Sequence, residues 1–122
     1  MKYKVLIIDD SISVCNTLRS FIENDLEIDV FIAKSLKDSA NLLLQQKGKI
    51  DVILADLGLP DAPNGEIIDF LSKFKIPIVI LTGSDNIDIE EKFRDKNIVD
   101  YIIKDGLSAL TYASSIVKRI IH

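Results

Sequence analysis

The chain has one cysteine, Cys15, and one histidine, His122. A single thiol excludes an intramolecular disulfide and a cysteine-based zinc site, and it suits a reducing compartment. Cys15 falls near the apolar face of a helical stretch and reads as a packed thiol rather than a nucleophile. His122 stands at the end of the sequence and reads as a tail residue without partners for catalysis or metal binding. No apolar run approaches the ~20 residues needed to span a bilayer. The first residues form a strand-like run, Tyr3 to Ile8, with no small-residue cleavage site, so no signal peptide is visible and a cytoplasmic location is expected. An excess of positive charge is missing too. The 15 Lys and Arg stand against 19 Asp and Glu, a formal net charge of −4. That balance argues against direct nucleic-acid binding, which needs clustered Lys and Arg for the phosphates.

What remains is an ordinary folded domain. At 122 residues the chain has the length of one domain. With 48% hydrophobic and 28% charged residues it can bury a core without a metal or disulfide staple. Short runs rich in Val and Ile alternate with amphipathic stretches. The strand candidates are Lys4–Ile8, Ile28–Ala33, Asp51–Ala55, Ile76–Leu81 and Val99–Ile103, apolar on consecutive positions as in strands covered on both faces. Helical stripes are Val14, Leu18, Phe21 and Ile22; Leu36, Ala40, Leu43 and Leu44; Ile67, Ile68, Leu71 and Phe74; and Leu110, Ala113, Val117, Ile120 and Ile121. A fourth helix, about Ile87–Lys96, has only Ile89 and Phe93 as anchors. Ser13, Ser35 and Asn64 are candidate N-caps, and Gly48 and Pro60–Gly65 mark turns. The order βαβαβαβαβα implies a doubly wound α/β fold, with parallel strands, right-handed crossovers and helices on both faces. The last stripe reaches the final residues, so one domain over residues 1–122 is expected, standing alone or as the N-terminal part of a longer protein.

In such a sheet, ligands bind beyond the carboxyl ends of the strands. The first strand runs into Asp9-Asp10, the third into Asp56, the fourth into Thr82-Gly83 and the fifth into Lys104. One Asp after a strand is usually a turn residue or helix cap; this series at four strand ends is a constellation. Three carboxylates held close repel one another unless a cation joins them. Oxygen ligands without His or Cys favour Mg²⁺. Lys104 adds a fixed positive charge and Thr82 a hydroxyl donor, so a phosphoryl group could sit on a carboxylate here. An aspartyl carboxylate is a competent nucleophile toward phosphorus, and in-line transfer needs mainly positioning and charge neutralisation.

Through Ile7-Ile8-Asp9-Asp10-Ser11, Asp56-Leu57-Gly58-Leu59-Pro60-Asp61, Leu81-Thr82-Gly83 and Asp100-Tyr101-Ile102-Ile103-Lys104, the sequence resembles the receiver domain of two-component response regulators over essentially its whole length. The resemblance implies a (βα)5 fold with flavodoxin-like strand order 2-1-3-4-5. It implies that Asp56 is the phosphoacceptor. It also implies that Asp10, Asp56 and the Gly58 backbone carbonyl bind Mg²⁺ directly, and that Asp9 helps through water. Thr82, Gly83 and Lys104 would contact the phosphoryl group, and Tyr101 would be the aromatic switch that turns inward when Thr82 moves. The implied donor is a sensor histidine kinase or phosphotransfer protein, and the surface that changes is the fourth helix, fifth strand and last helix. Glu90, Lys92, Arg94 and Asp95 on the fourth helix could pair across a phosphorylation-dependent homodimer or with an effector. Gly58 and Ser84, each two places after a site residue, are small and shield an aspartyl phosphate poorly.

Two positions depart from the family pattern. Asp105 follows the site lysine, where receivers usually carry Pro after a cis peptide; a cis bond to a non-Pro residue costs ~3 kcal/mol. The loop from Asp56 to Gly65 is one residue longer than usual, with Pro63 inserted. The stretch Asp61-Ala62-Pro63-Asn64-Gly65 is similar to receivers fused to cyclic-di-GMP-synthesising domains. Two other readings compete. A small Mg²⁺ phosphatase of the haloacid dehalogenase type would need an Asp two residues after its nucleophile, yet Ser11 follows Asp9-Asp10. A docking module that is never phosphorylated would not need the intact acidic set.

Overall fold

The computed structural model describes residues 2–83 and 97–122. The expected helix at Ile87–Lys96, with Ile89, Glu90, Lys92, Phe93, Arg94 and Asp95, lies outside the described residues, as does Ser84. Five strands, β1 (Tyr3–Ile8), β2 (Ile28–Ala33), β3 (Val52–Asp56), β4 (Ile78–Thr82) and β5 (Ile98–Ile103), form one sheet in the order β2-β1-β3-β4-β5. All four pairings are parallel. The helices are α1 (Ile12–Glu23), α2 (Leu36–Gln45), α3 (Glu66–Leu71) with a following 3₁₀ turn (Ser72–Phe74), and a C-terminal helix (Leu107–Ile121).

The consecutive apolar positions in the strands serve two cores, because successive side chains leave opposite faces. Leu6, Ile8, Ile53, Ala55, Ile78 and Ile80 pack on the face covered by Leu43 of α2 and Ile67, Ile68 and Leu71 of α3. Val5, Ile7, Val52, Leu54, Val79 and Leu81 pack on the other face, with Leu18 and Ile22 of α1 and Ala113 and Val117 of the C-terminal helix. The doubly wound architecture expected from the sequence is therefore the one observed.

Some local expectations need correction. Ser11, not Ser13, caps α1: it is extended and its Oγ accepts from Val14 N–H. The Asp9 carboxylate holds Ser11 N–H at 2.9 Å, which fixes the chain just before the first helical residue. Gly65, not Asn64, precedes α3, because the chain turns there with φ +79°, which glycine accepts without strain. On α2, Leu44 is 79% exposed. The buried stripe is centred on Ser39, whose hydroxyl donates to the Leu36 carbonyl at 2.7 Å, and on Leu43; Leu44 falls a further ~100° around the helix. Phe74 is half-exposed because α3 ends at Leu71 and tightens into the 3₁₀ turn, which shifts the stripe. Strand β5 carries a register shift opposite Ile78/Val79, and Val99 is exposed there.

Candidate functional site

Strand register places the site. Ile8 pairs with Ala55, so Asp9 and Asp56 follow side by side at the ends of β1 and β3. Asp56 pairs with Leu81 and Thr82 with Ile103, which sets Thr82 and Lys104 at the ends of β4 and β5. Short backbone bonds lock these ends: Asp9 N–H donates to the Ala33 carbonyl at 3.0 Å, and Lys104 N–H to the Thr82 carbonyl at 2.7 Å.

The side chains converge. Asp9 is fully buried, and Asp56 and Thr82 are each 6% exposed. Lys104 Nζ donates to Asp9 Oδ2 at 2.9 Å and lies 3.5 Å from Asp56 Oδ2. Asp56 Oδ1 accepts Gly58 N–H at 3.1 Å. Asp10 is exposed at the rim, and one carboxylate oxygen from each of Asp9, Asp10 and Asp56 lies within 4.8 Å of the others. Gly83 is exposed beside Thr82. Tyr101 is half-buried on β5 and packs against the core on the α2–α3 side. The peptide between Lys104 and Asp105 is trans.

Electrostatics follow from this packing. Burial pushes the Asp9 carboxyl up, against the opposing pull of its hydrogen bonds from Lys104 and Ser11. Burial alone would lower the Lys104 ammonium, but Asp9 and then Asp56 outweigh it and hold it above the ordinary lysine value. Three carboxylates thus meet one ammonium, and the negative excess faces the exposed rim at Asp10. Hard, all-oxygen donors around uncompensated negative charge fit a divalent cation of the Mg²⁺ kind. Asp9, Asp10 and Asp56 are the described side chains that could hold it.

Several contributors were not read from the sequence. Ser11 both caps α1 and orients Asp9; the Asp-x-Ser spacing was the available signal. The Cys15 thiol donates to the Asp9 carbonyl at 3.3 Å, and burial pushes its pKa up to about 11, which suits a packed thiol. Asp61 grips α2 from the loop after Asp56. His122 is not without contacts: its Nε2 lies 2.8 Å from Asp25 Oδ2, and its ring meets Tyr3 edge-on at 5.6 Å. The C-terminal helix brings it there, which terminal position alone did not reveal.

Comparison with known proteins agrees with this geometry. Residues 5–113 match the family model described as the response regulator receiver domain. The KDP operon transcriptional regulatory protein KdpE of Escherichia coli (strain K12) is 32% identical over 101 residues, covering 82% of this chain and 44% of that protein. The sensory transduction protein LytT of Bacillus anthracis is 30% identical over 104 residues, 83% of this chain and 41% of that protein. A solved two-component system response regulator/GGDEF domain protein superposes with a TM-score of 0.81 at 36% identity, covering 98% of this chain and 48% of that one. The chain spans 20% to 44% of the length of the curated relatives it matches.

Proposed function

The chain belongs to the response regulator receiver domain family, and from that premise we propose that it is a phosphorylation-dependent signalling switch with Asp56 as phosphoacceptor. Receiver domains are signalling switches rather than enzymes in the ordinary sense. The observation that carries the reading is the placement of Asp56 beside the buried Asp9 carboxylate, with the partly buried Lys104 ammonium reaching both, 2.9 Å from Asp9 Oδ2 and 3.5 Å from Asp56 Oδ2.

In the proposed reaction an Asp56 oxygen attacks the phosphorus of a phosphohistidine on a sensor kinase or phosphotransfer protein. The new O–P bond forms as the P–N bond breaks, and the imidazole leaves with a proton. Asp10, Asp56 and the Gly58 carbonyl, with Asp9 behind them, would hold Mg²⁺, which would supply neutralising charge for the carboxylates and phosphoryl oxygens. Lys104 contacts one phosphoryl oxygen, and Thr82 and Gly83 contact the others. The adduct adds about 1.5–2 negative charges. Thr82 moves to meet it, and Tyr101 turns into the space left behind, a two-state shift biased by the phosphoryl contacts. Water later removes the group, which returns the domain to its resting state.

The same reading makes residues 1–122 one receiver domain, acting with a fused or separate effector. The relative that carries a GGDEF domain and the likeness of residues 61–65 to receivers of that kind both favour a cyclic-di-GMP synthase as the output. The switching face can also serve a phosphorylation-dependent homodimer. The free thiol of Cys15 suits the cytoplasm. No described helix is long and apolar enough to cross a membrane.

Beryllofluoride with Mg²⁺ tests the switch, since it mimics the phosphoryl group without transfer. Amide NMR shifts should extend from Asp9, Asp10 and Asp56 to Thr82 and Tyr101. Shifts confined to the three aspartates would mean that the domain binds the mimic without switching.

A further inference from the structure

The loop that follows Asp56 is closed on itself. Gly65 N–H donates to the Leu57 carbonyl at 3.1 Å, and Ala62 N–H donates to the Leu59 carbonyl at 3.1 Å. Leu59 and Ala62 are fully buried, which seats the floor of the loop in the core. Its outer tip is held differently. Asp61 Oδ1 accepts Leu36 N–H at 2.8 Å and its Oδ2 accepts Lys37 N–H at 3.0 Å. These are the first two N–H groups of α2, which have no partner inside the helix. The next donor, Asp38 N–H, goes to Ser35 Oγ at 3.0 Å. The two caps therefore divide the helix start between them, and only one of them reaches across from another element.

That grip is built for orientation. Both carboxylate oxygens are used, each bond is charge-assisted, and the α2 end favours negative charge. The two backbone bonds hold the Asp61 carboxyl below its ordinary value. Pro60 fixes its own φ just before the tip, which limits how the loop can re-aim. The helix so gripped follows β2, whose last residue, Ala33, receives Asp9 N–H. Asp61 thus joins the segment carrying Gly58 to the strand end that supports Asp9.

We propose that Asp61 is a positioning residue for metal binding: by clamping the loop tip to α2, it adds to the loop's own closing bonds and sets the orientation of the Gly58 peptide, whose N–H meets Asp56 Oδ1 at 3.1 Å, and with it of the Gly58 carbonyl. This rests on the receiver reading above, in which that carbonyl is a ligand. Asp61 touches neither metal nor phosphoryl group; it acts through the backbone of residues 58–61, as outer partners orient ligands at other metal sites.

Mg²⁺ titration followed by amide NMR, with thermal unfolding of the same samples, tests this on the parent protein, Asp61→Ala and Ser35→Ala. Both substitutions remove a cap from α2, but only the first frees the loop. Asp61→Ala should weaken Mg²⁺ binding about tenfold, whereas Ser35→Ala should lower the melting temperature and leave Mg²⁺ affinity within about twofold of the parent. Asp61→Asn keeps one acceptor oxygen and should fall between parent and Asp61→Ala; it carries the test alone if the alanine variant does not fold. Parent-like Mg²⁺ affinity in the Asp61 variants, or an equal loss in Ser35→Ala, would overturn the proposal. A parent protein that binds no Mg²⁺ would overturn the receiver reading itself, and this proposal with it.

Discussion

Lys104 Nζ donates to the fully buried Asp9 carboxylate at 2.9 Å, joining residues 95 positions apart in the sequence. The lysine side chain is only 16% exposed, and its ammonium lies within 3.5 Å of Asp56 as well. It is therefore the fixed counter-charge of the site.

Removing it should leave buried negative charge unpaired. Lys104→Met is expected to destabilise the domain by about 3 kcal/mol in denaturant unfolding at neutral pH, the usual effect of breaking a buried pair from one side. Because a divalent cation also offsets that charge, added Mg²⁺ should shrink the difference between variant and parent. Equal stability of the two without Mg²⁺ would show that Lys104 does not compensate Asp9.

The strand ends were legible because two periodicities agree. Uninterrupted Val/Ile runs marked strands buried on both faces, and each polar residue just after such a run had to fall at one edge of a parallel sheet. Asp9, Asp10, Asp56, Thr82 and Lys104 were found that way. Contacts between elements were less legible. Nothing local distinguishes Asp61 as a cap for a helix that begins 25 residues earlier, nor ties His122 to Asp25. Ser11 and Ser13 compete for the same cap by composition, and the Val14 N–H on Ser11 Oγ, with the Ser11 N–H on Asp9, decides between them. Leu44 misled because an apolar tally weights it like Leu43, while the polar Ser39 sits in the buried stripe by satisfying its hydroxyl within the helix.

Asp10 differs from Asp9 in being exposed, with no described role in the resting ion pair. Asp10→Ala should therefore leave thermal stability nearly unchanged while weakening Mg²⁺ binding at least about tenfold, as expected for a lost ligand. Calorimetric titration of Mg²⁺ measures it. Parent-like affinity would remove Asp10 from the ligand set.

Gly58 offers a way to alter the lifetime of the adduct. A Cβ built at this position would lie 4.0 Å from Asp56 Oδ1, an ordinary contact, so the backbone accepts a substituent there. Gly58→Met should shield the phosphorus from water and slow loss of the phosphoryl group. A barrier increase of about 0.7–1.4 kcal/mol corresponds to a factor of about three to ten. Mg²⁺ affinity should change little, because the ligand there is a backbone carbonyl. Decay followed by intact mass after removal of the phosphodonor gives the rate, and identical rates in variant and parent would contradict the assignment.

The Asp61 clamp also sets a pH dependence. Its carboxyl is held low in the folded state by the Leu36 and Lys37 N–H groups. A lowered folded pKa contributes stability that is complete above the unfolded value, 3.8, and is lost as pH falls through the folded value. Melting temperatures of parent and Asp61→Ala should thus differ most at neutral pH and converge in acid below that range. A gap that persists unchanged at the lowest pH would mean that the carboxylate is not the group responsible.

The most direct measurement is intact mass after incubation with acetyl phosphate and Mg²⁺, made on the parent protein and on Asp56→Asn. The expected result is one phosphoryl group per parent chain, dependent on Mg²⁺ and absent from Asp56→Asn, with both proteins equally folded by circular dichroism. No adduct on the parent, or an adduct that survives in Asp56→Asn, would contradict the assignment of Asp56 as the phosphoacceptor.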